Sequence, residues 1–334
     1  MSNFDTWQNE VTEMVPVSDE IREQILRDWD ARIKPPGSLG KLEALAAKTG
    51  SIQLSRQPRA DKLSLRLFVG SHGIAAEGVS LAPSSVNISM LKNFREGGAA
   101  INALCRSNRI DFEPIDAGVH RPTQNFKYGP AMSQEEVGAA MKLGWYSVPT
   151  GTDLFAVGEM GIGNTASASA ILSVILKAPV EKVTGRGTGL NEEQLARKVQ
   201  IIRESLHHRQ ATEKAPLALL GEYGGREIAA MTGAILSAAS KNIPVVLDGV
   251  IALAAAAVAF EIDVRVKDKC IAAHRGTEPA IPLVLKHYDL DALLDLDLRL
   301  GEGSGAALAM GLLRSAVDCL NQMFTFEQAG MVFP

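Results

Sequence analysis

From Leu65 onward the chain alternates short apolar runs with longer alanine-rich stretches. Runs at 66–70, 114–118, 154–158 and 243–249 have strand length, and each ends at a glycine or an aspartate. Short apolar strands alternating with helices predict a parallel sheet covered on both faces. In such sheets ligands gather at the carboxyl ends of the strands, which is where these glycines and aspartates fall.

The two ends of the chain read differently. Residues 1–60 show amphipathic helical spacing, interrupted at Lys34-Pro35-Pro36-Gly37-Ser38-Leu39-Gly40, where two prolines forbid a continuous helix. Near the other end Ala306, Met310, Leu313, Val317 and Leu320 fall on one face of a helix. The expected organisation is a helical arm at 1–60, a large α/β domain carrying the site at 61–305, and a helical segment at 306–334. The arm and the last segment would together form a smaller helical domain. The apolar stretch from Val250 to Phe260 follows Val245-Val246-Leu247-Asp248-Gly249. It is too short for a membrane span of ~20 residues and reads as strand, turn and buried helix.

Composition narrows the classes of function. With 334 residues, 46% hydrophobic and 22% charged, the chain can bury a large core. Its net charge is -4 and its cations are scattered, so neither a nucleic-acid footprint nor a membrane-binding face is expected. Cys105, Cys270 and Cys319 lie far apart without metal-ligand or disulfide spacing, which fits a reducing, cytoplasmic setting. The start Met1-Ser2-Asn3-Phe4-Asp5 is polar and acidic, unlike an export signal.

The candidate chemistry sits in two glycine-rich segments, Gly158-Glu159-Met160-Gly161-Ile162-Gly163-Asn164-Thr165 and Leu298-Arg299-Leu300-Gly301-Glu302-Gly303-Ser304-Gly305. Each follows an apolar run and leads into a helix of small residues. That order brings backbone N–H groups and a helix N-terminus to a small anion. A Walker loop is excluded because no lysine follows the last glycine. Glu302, free between glycines, can act as a general base, although a helix N-terminus would favour its anion and weaken it. The plain alternative is that Glu302 only caps the helix. His72, Glu77 and Ser80 follow the first strand and could line a pocket. His207 and His208 read as a solvated helix face within the charged stretch 191–213. The loop Gly185-Arg186-Gly187-Thr188-Gly189 with Lys198 could hold an anion, and Asp116 and Asp248 could meet ribose hydroxyls or simply make turns.

Taken in order, these motifs resemble the nicotinate-nucleotide:dimethylbenzimidazole phosphoribosyltransferase family of cobalamin biosynthesis. The resemblance runs through the Lys34 to Gly40 segment, His72 to Ser80, Gly97-Gly98-Ala99-Ala100-Ile101-Asn102, Gly158 to Thr165, Gly185 to Leu190, His274-Arg275 with Glu278-Pro279, and Leu298 to Gly305. It implies a Rossmann-like parallel sheet flanked by helices, a smaller helical domain, and a homodimer. It also implies transfer of the 5-phosphoribosyl group from nicotinate mononucleotide to an aromatic base, without metal or cofactor. By the same resemblance Glu302 is the base. Glu159, Gly161, Gly163, Asn164, Thr165, Lys198, Gly301 and Gly303 would hold the nucleotide, and Ser80, Ser89, Met90, Met160 and Leu300 would surround the acceptor ring.

The chain departs from that family in several places. Where members commonly read Val-Thr-x-Gln-Met it has Val86-Asn87-Ile88-Ser89-Met90; Ser71 stands where Asp is common, and Gly276 where serine is common. A reshaped acceptor pocket follows as an expectation, with 5,6-dimethylbenzimidazole the first choice and another benzimidazole, a purine or a phenol as alternatives. A nucleotide-binding protein without catalysis is the reading from another class.

Overall fold

The computed structural model describes residues 11–208 and 215–331. The acidic start and the end of the 191–213 stretch therefore lie outside the described residues. Six strands form one sheet: β1 (Leu63–Val69), β2 (Ile110–Asp116), β3 (Leu154–Met160), β4 (Val245–Leu247), β5 (Cys270–His274) and β6 (Ala292–Leu294). All neighbours pair in parallel, in the order β2-β1-β3-β4-β5-β6. The α/β architecture is as expected. β5 and β6 are strands the sequence pattern did not reveal; β6 is only three half-buried residues long.

Side chains alternate strictly between two cores. Phe68, Phe155, Val157, Val245, Leu247, Cys270 and Ala272 enter one cluster with helices Gln134–Tyr146, Asn164–Ile175, Arg226–Ser240 and Val250–Ile262. Leu65, Leu67, Val69, Leu154, Ala156, Val246, Ile271 and Ala273 enter the other. Burial on both faces is why the strands read as unbroken apolar runs. Pro114 is tolerated because β2 is an edge strand.

The second cluster also contains Ile25 and Trp29 of helix Asp19–Asp30, Leu45 and Ala46 of helix Lys41–Gln53, and Ala306, Met310, Leu313, Val317 and Leu320 of helix Ser304–Gln322. The face expected for the last helix is thus the buried one. The chain ends meet directly: Arg32 Nη1 donates to Met323 O at 2.6 Å, and Ile33 N to Phe324 O at 3.1 Å. The double-proline break is a turn between helices Asp19–Asp30 and Lys41–Gln53, closed by Lys34 Nζ on Glu43 Oε1 at 2.8 Å. Among the described residues no helix is long and apolar enough to cross a membrane. Helix Val250–Ile262 is instead core, with Val250 through Phe260 all buried.

Candidate active site

The strands end together, and the segments that leave them enclose one cavity. Its walls include Ser80, Glu159, Met160, Gly161, Gly163, Asn164, Thr165, Thr188, His274, Glu278, Arg299, Leu300 and Gly301. Segments far apart in sequence are thereby gathered at the carboxyl edge of the sheet. Glu302 is one residue beyond the lining and is itself 7% exposed.

Glu159 corrects the sequence reading. It is not in a glycine loop: parallel pairing with β1 continues through Leu67↔Gly158, Phe68↔Glu159 and Val69↔Met160, so it ends a strand. The turn is only Gly161-Ile162-Gly163, and helix Asn164–Ile175 starts at once behind it. The Glu159 carboxyl is buried and accepts a hydrogen bond from Asn164 Nδ2. Burial pushes its pKa up to about 8, aided by the charges of Asp248 and Glu227, against the opposing Asn164 bond. At neutral pH this carboxyl is largely protonated.

Glu302 stands in contrast. Its backbone is left-handed, with φ +61, between Gly301 at +82 and Gly303 at +79. A non-glycine residue held there carries strain of ~1–3 kcal/mol, a cost that surrounding structure must offset. The helix that follows is not capped by Glu302. Asp248 does that, accepting from Gly303 N and Ala306 N, both at 3.0 Å. Burial pushes Asp248 up as well, against these N–H groups and His274. The Asp248 side chain is turned into the protein, so of its two sequence readings the structural one holds. Among the described residues Glu302 has no side-chain hydrogen bond. Burial, with Asp248 adding to it, raises its pKa to about 7. The weakening expected from the helix N-terminus is thus outweighed, and Glu302 is poised to take a proton near neutrality.

The end of β3 also touches the Glu302 turn. A Cβ on Gly158 would lie 2.9 Å from Glu302 O, and one on Gly301 2.6 Å from Glu159 Oε1. These glycines let the strand end and the turn pack on each other, a reason that spacing along the chain does not reveal.

A third wall gathers around Lys198. The buried ammonium donates to Thr165 Oγ1 at 2.9 Å and Gly185 O at 3.0 Å, and burial lowers its pKa to about 8. Glu278 Oε1 accepts from Gly187 N at 3.0 Å in the same loop. Arg186, the other cation expected there, turns away to Glu192. Asp116 accepts from Gly118 N at 2.8 Å and Val119 N at 2.9 Å, so its carboxylate makes a turn.

Not every expected residue meets the cavity. His72 is structural: its Nε2 pairs with Glu227 Oε1 at 2.5 Å and its Nδ1 with Ser167 Oγ at 3.0 Å, all three residues buried. Glu77 pairs with Lys127, and only Ser80 of that segment lines the cavity. His207 and His208 are exposed, as expected. Ser89 is exposed on helix Val86–Glu96 and Met90 packs on the second core; neither is among the lining residues, whereas Met160 and Leu300 are. Three groups were missed. Among the described residues Arg299 is the only lysine or arginine in the lining, Asn87 is fully buried behind the Gly161 turn, and His274 lines the cavity with Nε2 3.6 Å from Asp248 Oδ1 and neither ring nitrogen hydrogen-bonded. Among the described residues no group of three or more His, Cys, Asp or Glu could hold a metal ion.

Known proteins agree with this picture. A family model described as "Phosphoribosyltransferase" matches residues 14–331. The nicotinate-nucleotide–dimethylbenzimidazole phosphoribosyltransferase of Rhodobacter capsulatus is 41% identical over 323 residues, 96% of either chain. That of Brucella anthropi is 39% identical over 329 residues, 98% of this chain and 97% of its own. The crystal structure of CobT from Thermus thermophilus superposes with a TM-score of 0.90 at 36% identity, covering 94% of this chain and all of that one.

Proposed function

The chain belongs to this phosphoribosyltransferase family, and we propose that it moves the 5-phosphoribosyl group of nicotinate mononucleotide to 5,6-dimethylbenzimidazole. The products are α-ribazole 5′-phosphate, for the lower ligand of cobalamin, and nicotinate. The relatives' names support the reaction, and the state of Glu302 carries it: an unpaired carboxylate beside the cavity with its pKa near 7.

The chemistry asks little more of the protein. One benzimidazole nitrogen attacks C1′ as the bond from C1′ to the pyridinium nitrogen breaks, and that bond's electron pair neutralises the departing nicotinate. Attack opposite the leaving group inverts the β-nucleotide to the α product. The ring formed is cationic, so the proton on its second nitrogen becomes acidic and passes to Glu302. Gly161, Gly163, Asn164 and Thr165, with Lys198 behind Thr165, are assigned the 5′-phosphate; Glu159, as a neutral acid, can donate a hydrogen bond to the ribose. Gly301 and Gly303 shape the base's turn, and Ser80, Met160 and Leu300, which line the cavity, are assigned to the acceptor side. A homodimer in the cytoplasm, with the two chain ends forming the small domain, completes the proposal.

Purified protein incubated with nicotinate mononucleotide and equimolar dimethylbenzimidazole, benzimidazole, adenine and a phenol tests it by mass spectrometry. The α-ribotide of dimethylbenzimidazole should dominate. Another ribotide would move the acceptor, and none at all would favour a binding protein.

A further inference from the structure

The Gly161-Ile162-Gly163 turn is held from behind by a side chain that the reaction itself does not use. Asn87, in the first turn of helix Val86–Glu96, is 0% exposed. Its Oδ1 accepts from Ile162 N at 2.9 Å, and its Nδ2 donates to Ser71 Oγ at 2.9 Å. The Ser71 hydroxyl in turn donates to Val119 O at 2.8 Å. An N–H can only donate, so the amide orientation of Asn87 is dictated, and every link runs in one direction. Ser71 follows the end of β1, Val119 follows β2, and Ile162 follows β3. The relay therefore ties three adjacent strand ends together under the cavity floor.

We infer that Asn87 is a positioning residue of the nucleotide site, setting the Gly161-Ile162-Gly163 turn against the ends of β1 and β2 through Ile162 and Ser71. The inference rests on the proposed role of that turn in holding the nucleotide. The physical reason is that a two-glycine turn has little stiffness of its own, while a fully paired buried polar chain is rigid. Asn87 also places the nucleotide turn in fixed register with the helix that carries Ser89 and Met90. Replacing Asn87 by an apolar residue leaves the Ile162 N–H buried without an acceptor, and the turn must move to recover one.

Calorimetric titration of nicotinate mononucleotide into wild type, Asn87→Leu, Ser71→Ala and the double variant tests this, alongside turnover and thermal melts. Asn87→Leu should weaken nucleotide binding roughly tenfold or more, and Ser71→Ala roughly threefold. The double variant should match Asn87→Leu within about twofold, because the Ser71 link acts through Asn87. The KM for the nucleotide should rise while kcat at saturation stays within about threefold. Folded Asn87→Leu with wild-type affinity, or fully additive losses, would overturn the inference. Should Asn87→Leu not fold, unchanged affinity in Ser71→Ala overturns it equally. Failure of the proposed function is separate: it shows as wild-type protein that binds no nucleotide or makes no ribotide.

Discussion

Glu159 and Glu302 lie side by side, one at the end of β3 and the other in the glycine turn packed against it, and they differ in what surrounds the carboxyl group. Glu159 ends a strand, is hydrogen-bonded by Asn164, and lies among the charges of Asp248, Glu227 and Glu302, with its pKa near 8. Glu302 has a left-handed backbone, makes no side-chain hydrogen bond among the described residues, and has its pKa raised to about 7. The helix behind it is capped by Asp248, 54 residues upstream, which frees Glu302 from that duty. The difference teaches that a carboxylate between glycines need not cap the helix that follows it: Asp248 does so, and its charge adds to the burial that raises Glu302. Glu159 is raised further by deeper burial and by the charges of Asp248, Glu227 and Glu302, although the bond from Asn164 pulls the other way.

The comparison is broken most directly by Glu302→Gln, which keeps shape and removes basicity. Turnover should fall by ~10²–10⁴ with the melting temperature held; a loss of less than threefold would deny Glu302 its role. Next in size is pH. If Glu302 is the base, log kcat should climb with a slope approaching one below pH about 7, so about fiftyfold between pH 5 and 7. A limb near the ordinary glutamate value would mean that the base is elsewhere. Third, Gly301→Ala puts a Cβ 2.6 Å from Glu159 Oε1 at a φ of +82. Urea melts should show a loss of ~1–3 kcal/mol, and unchanged stability would mean that the Glu302 turn is not packed on the end of β3.

The smallest effect sharpens the contrast. The folded pKa of Glu159 lies above its unfolded value, so the native state holds the proton more tightly and loses stability as pH rises from the ordinary glutamate range through about 8. Glu159→Gln has no such proton to lose. Its melting temperature relative to wild type should therefore grow across that window, by about 2 °C or more, and level off above it. A difference independent of pH would place the Glu159 carboxyl in an ordinary, ionised state.

Much of this was legible before the fold was known. Alternating apolar runs and alanine-rich segments identified the α/β class, since one strand or helix carries its burial pattern within a few residues. The buried face of helix Ser304–Gln322 and the break at Pro35-Pro36 were likewise local matters. The strand β3 was cut short at Gly158 because glycine reads as a stop, whereas pairing with β1 carries it on to Met160.

The sequence by itself determined the architecture, the family resemblance and the two carboxylates worth testing. Only the tertiary structure decided how each is surrounded, with burial raising Glu159 to about 8 and Glu302 to about 7. It also decided that His72 serves Glu227 rather than the cavity, and that Asn87 stands behind Ile162. Hydrophobic period is a property of neighbours along the chain, so it survives without a fold. Protonation and polar pairing depend on burial and on groups 55, 75 or 155 residues away, and those distances close only when the sheet is assembled.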